Sequence, residues 1–252
     1  AGNVIRTWEE SVHRGLNRIT WNLRRDGFRR PNTGGGEGSE SEYLPSGIRV
    51  LPGSYTLTVR FDELEEAMPV TVVPDPRETA SRADREQKYE ALLEAGDLRE
   101  SVADAITVIY RLRADLDAAL AAYERVRGED GADSEEVDAE AGEETPEGRA
   151  GEIRRALRDI EERLWVPEGT KGIVYSDDRV WNMVGYALGS MQSSWEAPTT
   201  AQRAYLARAR AAAADVLSDL AELNAGAVAD FRNDVLEAGL SLMPHEDTPT
   251  VD

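Results

Sequence analysis

The chain has 252 residues, 40% hydrophobic and 31% charged, which allows a buried core in one large domain or two small ones and excludes wholesale disorder. Its 29 basic and 49 acidic residues leave a formal charge of −20, a field that repels phosphate backbones and argues against nucleic acid and anionic membranes as partners. Cysteine is absent, which excludes disulfides and thiolate metal sites, and no apolar run approaches the ~20 residues of a membrane span.

Residues 1–76 read as short strands. Val4 to Glu9 is the first. Asn17 to Arg24 alternates, with Ile19, Trp21 and Leu23 on one face and Arg18, Thr20 and Asn22 on the other, the period-two pattern of a half-buried strand. Gly34 to Gly38 predicts a flexible loop, since it lacks the Lys-Ser/Thr and the helix of a phosphate-binding turn. Pro52-Gly53 is a turn signal. Ser54 to Phe61 then alternates again, with Tyr55, Leu57, Val59 and Phe61 on one side. Asp62 to Glu66 is short enough for a hairpin connection, and Pro69 to Val73 closes the set. Several short antiparallel strands with turns between them predict a small β-sandwich.

Pro74-Asp75-Pro76-Arg77 predicts a stiff hinge, because two prolines withhold the donors that would extend a strand. Beyond it the period changes to 3.6. Ser81 is placed to cap a helix over 82–94. Asp97 then starts a second helix or continues the first as a long one, with Leu98, Val102, Ile106, Ile109, Leu112, Leu116 and Leu120 in one stripe. It would be about 45 Å long at ~1.5 Å per residue, with Gly128 ending it. Positions 129–148 hold ten acidic residues and no basic one. With Gly131, Gly142, Pro146 and Gly148 as breakers, they predict a disordered acidic linker. A calcium site is the alternative, but no EF-hand spacing matches. A helix over 150–165 follows. Ser176-Asp177-Asp178 reads as an N-cap with acids in the first turn of the next helix. Thr199 and Gln202 form a capping-box pattern before the last helix, inside which Gly226 marks a bend and which Gly239 ends. These amphipathic segments predict an antiparallel bundle.

Candidate chemistry is sparse. The two histidines, His13 and His245, lie in different regions, and no His/Asp/Glu cluster has metal-ligand spacing. Asp177 and Asp178 are adjacent, and helix capping explains them better than the separated carboxylate pair of a glycosidase. No catalytic residue, metal or cofactor is expected. Of the tryptophans, Trp8, Trp21 and Trp181 read as packing residues or carry no signal. Trp165, at a helix end, and Trp195, in a connecting loop, are the candidates for stacking on a ligand such as a sugar. Lys88 and Lys171 are the only lysines. Arginine in place of lysine suits either a high-salt setting or a GC-rich genome. The chain begins at Ala1 without a basic-then-apolar leader, which predicts a processed or excised piece.

Gly2-Asn3-Val4-Ile5-Arg6, Gly15 to Asn22 and Leu51 to Leu57 resemble a C-terminal Ig-like sandwich of the flagellar-hook-cap type. With the hinge Val73 to Arg77, the run Ala197 to Gln202 and Asn224, nearly the full chain resembles the C-terminal region of bacterial sortilin-like, BNR-repeat proteins, often labelled glycosyl hydrolases. The resemblance implies an α+β multidomain chain: an antiparallel Ig-like β-sandwich over 1–76, a helical bundle over 77–243 and a tail over 244–252. It also implies an extracytoplasmic, non-catalytic accessory region, whose partner would be an N-terminal β-propeller of the same protein. No Asp-box of the propeller type occurs here. A homo-oligomer or another protein partner, a carbohydrate-binding module and a hydrolase fragment are the alternatives.

Overall fold

The computed structural model describes residues 2–33, 44, 46–130, 145–167, 170–172, 174 and 176–237, with side chains of 126–130 excepted. Among them are four short strands in two separate two-stranded antiparallel sheets and five helices. The expected Ig-like β-sandwich is not present. β1 (Arg24–Asp26) pairs with β2 (Ser46–Arg49), and β3 (Gly53–Phe61) pairs with β4 (Leu64–Val72). Two sheets of two strands are too narrow to cover each other as a sandwich does.

The cause lies in the first thirty residues. Val4 to Glu9 forms no strand, although the Asp26 N–H donates to the Ile5 carbonyl at 2.7 Å. The alternating run 17–22 forms none either. Its polar side chains bond locally instead, which competes with a sheet ladder. Asn17 accepts from the His13 N–H at 2.8 Å and returns a bond to the His13 carbonyl at 2.8 Å. The Trp21 indole N–H donates to the Arg24 carbonyl at 2.9 Å, and the Arg24 N–H donates to Asn22 Oδ1 at 3.2 Å. Leu23 sits at φ 57°, which ends the extended backbone before β1.

The chain forms two compact units: Ala1–Arg30, Gly35–Ala103 and Trp181–Ala211 in the first, and Pro31–Gly34, Asp104–Val180 and Ala212–Asp252 in the second. In the first unit, β3 and β4 join through Asp62-Glu63, with Phe61 opposite Leu64 and Asp62 at φ 49°. The hairpin turn is thus two residues long, and Leu64 to Glu66 belong to β4. The core of this unit gathers Ile48 from β2, Leu92 and Ala95 from α1 (Arg82–Asp130), Met191 from α3 (Val180–Gln192) and Leu206 from α4 (Thr200–Ala225). The Phe28 ring packs on it and lies where a Cβ at Gly96 would fall.

Helix α1 runs unbroken through Gly96 and Gly128, so Asp97 continues the first helix rather than starting a second, and Gly128 does not end it. Ser81 caps it: the Asp84 N–H donates to Ser81 Oγ at 3.1 Å, and the Ser81 N–H donates to Asp84 Oδ2 at 3.1 Å. α4 opens the same way, with Gln202 N–H to Thr199 Oγ1 at 3.2 Å and Thr199 N–H to Gln202 Oε1 at 2.9 Å.

In the second unit, α2 (Pro146–Leu164) begins inside the expected linker. Pro146 stands in the first turn, where a missing N–H costs nothing, and Thr145 caps the helix by accepting from the Gly148 N–H at 3.1 Å. The rest of the acidic run, 131–144, lies outside the described residues, as do the tail and His245. Helix α2 is tied to its neighbours by ion pairs. Arg113 of α1 meets Glu161 at 2.6 Å, and Arg154 meets Asp117 of α1. Arg163 meets Asp219 of α4, and Arg149 meets Asp234 of α5 (Ala227–Glu237). Along α1 the paired positions fall from 117 to 113 as they rise along α2 from 154 to 161, so these two helices run antiparallel. Gly226 separates α4 from α5 as a single-residue break, across which the Asp230 N–H still donates to the Gly226 carbonyl at 3.0 Å. α3 starts at Val180, after a turn closed by the Arg179 N–H on the Ser176 carbonyl at 3.0 Å. Asp177 and Asp178 are exposed in that turn and precede the helix, rather than lying in its first turn.

Candidate functional site

The two sequence-predicted candidates have different surroundings. Trp165 ends α2 in the second unit and is half-buried. Its indole N–H donates to Glu161 Oε1 at 3.1 Å, and its ring meets the Tyr110 ring edge-on with centroids 6.2 Å apart. Glu161 is itself 2% exposed and paired with Arg113. This cluster satisfies a buried carboxylate and serves packing.

Trp195 lies in the first unit, in the loop between α3 and α4, and is 54% exposed. The loop is held at both ends. The Gln202 amide, part of the α4 capping box, donates to the Ser190 carbonyl at 2.8 Å, and Lys88 of α1 donates to the Ser194 carbonyl. Two cations flank the indole: the Arg49 guanidinium is 5.0 Å from the ring centroid and the Lys88 ammonium 5.8 Å, both within cation–π range. Burial pushes the Lys88 pKa down, with Glu78 opposing and Arg49 adding to the shift. Nearby, Arg77 grips Asp75 through two bonds of 3.0 and 2.7 Å, which hold the Asp75 carboxyl below its usual range. The result is a small cationic aromatic patch on a strongly acidic chain. Sequence reasoning picked Trp195 and missed Arg49 and Lys88. The signal available was Lys88, one of only two lysines in the chain.

The other surface of note is the β3–β4 hairpin. Its register places Tyr55 opposite Val70, Leu57 opposite Met68, Val59 opposite Glu66 and Phe61 opposite Leu64, so these pairs share one face. At the base, Tyr55 is half-buried, and its ring meets Trp21 edge-on at 5.4 Å. Towards the turn, Val59, Phe61, Leu64 and Met68 are between 42% and 70% exposed. The opposite face carries Thr56, Thr58, Arg60, Glu65 and Thr71.

Among the described residues no group of three or more His, Asp or Glu side chains is placed to hold a metal ion, and no helix is long and apolar enough to cross a membrane. A shallow groove lined by Glu90, Leu93, Asp97 and Arg210 lies on the first unit, where Arg210 is already paired with Glu94. No family model, curated protein or solved structure matches the chain.

Proposed function

We propose that the chain is a non-catalytic interaction module of an extracytoplasmic, sortilin-like propeller protein, and that it supports the propeller or another protein partner. The sequence resemblance supplies the propeller context. The observation that carries the interaction role is the hairpin: four large apolar side chains, Val59, Phe61, Leu64 and Met68, stand exposed on one sheet face. A contiguous apolar patch of that kind on an acidic, soluble chain marks a surface meant to be covered. The test starts with the reading frame that encodes the chain, which should also encode propeller blades. The purified propeller should then bind the chain at micromolar concentration, as an interface of ordinary size does. A frame without blades overturns the propeller context, and no association at about 100 μM overturns the interaction.

A second reading rests on Trp195, whose ring is open to solvent beside Arg49 and Lys88. Exposed tryptophan stacks on sugar faces, and the two cations would favour an acidic sugar. Glycan binding that is lost in Trp195→Ala and kept in Trp165→Phe supports it. A glycan array with no signal removes it.

A further inference from the structure

We propose that the free edge of β3 takes up an extended, basic strand from a protein partner, completing a three-stranded sheet. This inference rests on the interaction reading above and names the contact. In an antiparallel ladder, pairs alternate between those that exchange backbone hydrogen bonds and those that do not. Phe61 and Leu64 flank a two-residue turn and are therefore a bonded pair. Counting back by twos, Val59–Glu66, Leu57–Met68 and Tyr55–Val70 are bonded as well. The intervening pairs Arg60–Glu65, Thr58–Ala67 and Thr56–Pro69 direct their N–H and C=O groups away from the partner strand.

The two edges are consequently unequal. On β4, the outward position at Pro69 has no N–H to give, and proline on an edge is a common guard against pairing. On β3, Thr56, Thr58 and Arg60 present an unbroken row of donors and acceptors. These residues are exposed, and β3 has no second strand neighbour among the described residues. Two strands alone are marginal in water, whereas a third, widening the apolar face, makes a stable sheet. An incoming strand would lay alternate apolar side chains beside Leu57, Val59 and Phe61.

Charge selects the occupant. The hairpin carries Asp62, Glu63, Glu65 and Glu66 against Arg60 alone, and Arg60 is already bonded to Glu65 at 2.7 Å. Glu66 also sits within the apolar face, opposite Val59. A second copy would bring the same four acids and its own −20, so like charges would face each other. A strand alternating apolar residues with Lys or Arg meets both demands, in the manner of β-augmentation.

The test uses the whole chain and a synthetic probe: a nine-residue peptide alternating lysine and valine, in about 150 mM salt to screen diffuse attraction. Thr58→Pro removes an outward donor on β3. Ala67→Pro removes its counterpart on β4. The peptide should bind the unmodified chain and Ala67→Pro alike, and bind Thr58→Pro about tenfold more weakly. A version of the peptide N-methylated on alternate amides, on the face that pairs, should fail to bind the unmodified chain, a readout that needs no variant to fold. Equal binding by all three proteins, or by the methylated peptide, would reduce the effect to charge adsorption and overturn the proposal. So would no binding at all, or a concentration-dependent dimer that Thr58→Pro abolishes. A propeller that binds the unmodified chain and Thr58→Pro equally would leave the interaction role standing and remove only the β3 edge.

Discussion

Glu161 is a buried carboxylate whose two oxygens are satisfied from different sides. Arg113 reaches Oε2 at 2.6 Å and the Trp165 indole reaches Oε1 at 3.1 Å. Removing one partner of such a pair costs far more than the pair contributes. Arg113→Met should therefore lower stability by about 3 kcal/mol in urea denaturation. Adding Glu161→Gln should recover much of that loss, since a neutral amide can still accept from Trp165. Equal stability of Arg113→Met and the unmodified chain would show that water, not Arg113, solvates the carboxylate. Ser81 and Asp84 act on a smaller scale. Hydrogen bonds from Ser81 Oγ, then from its N–H, hold the Asp84 carboxyl below its usual range. The folded chain thus binds that proton less readily than the unfolded one. The cap contributes fully above the ordinary carboxylate pKa and is lost as pH falls through the lowered folded value. Ser81→Ala should lower Tm by about 2 °C near neutral pH and by less in acid; a constant difference across the titration would contradict this origin.

At the scale of elements, α1 depends on a close approach. A Cβ at Gly96 would collide with the Phe28 ring, so Gly96→Ala should destabilise by about 1–3 kcal/mol through overpacking. Paired with Phe28→Ala, the cost should be far from additive, because the two changes share one space; additive losses would place the clash elsewhere. What the sequence made legible here followed a physical rule. The Ser81 cap and the Thr199–Gln202 capping box are contacts between residues three apart, and the β3 alternation is likewise local. The alternation at 17–24 had the same period, yet Asn17 and Trp21 spend their hydrogen bonds within a few residues, and Asn22 accepts from Arg24 and donates to Ser46. Pattern alone does not distinguish those two outcomes. Pro146 looked like a breaker because its position within a helix, harmless in the first turn, is not visible until Thr145 is known to cap it. Glu161 was legible and missed: it stands eight residues after Ile153 and three before Leu164, on the apolar stripe. Lys88 stood out only by its rarity and Arg49 not at all, since only the folded first unit brings β2 and α1 to Trp195.

For the whole molecule, the acidic excess is a net repulsive load, concentrated in stretches such as 129–148. Many of its ion pairs, such as Arg82–Glu86 and Arg60–Glu65, are exposed, where each contributes little. Screening should relieve the self-repulsion of a −20 chain more than it weakens those pairs. Tm should therefore rise between ~10 mM and ~0.5 M sodium chloride; a fall would mean that attractive pairs dominate. The overall architecture was the least legible level. The hinge at Pro74–Pro76 marks a change of periodicity, and periodicity reports elements rather than how they are assembled.

The path of the backbone through the two units has a consequence for synthesis. Each unit is built from distant stretches: the first needs 181–211 as well as the residues before 104, and the second needs 212 onward as well as 104–180. A nascent chain emerging residue by residue cannot finish the first interior until residue 211 is out, nor the second until α5, with its buried Val228, Phe231 and Val235, has left the ribosome. Leu92 must wait, half-covered, for Leu206, made more than a hundred residues later. Chaperone dependence during translation should therefore persist until these late helices emerge, rather than ending once residues 1–103 are out.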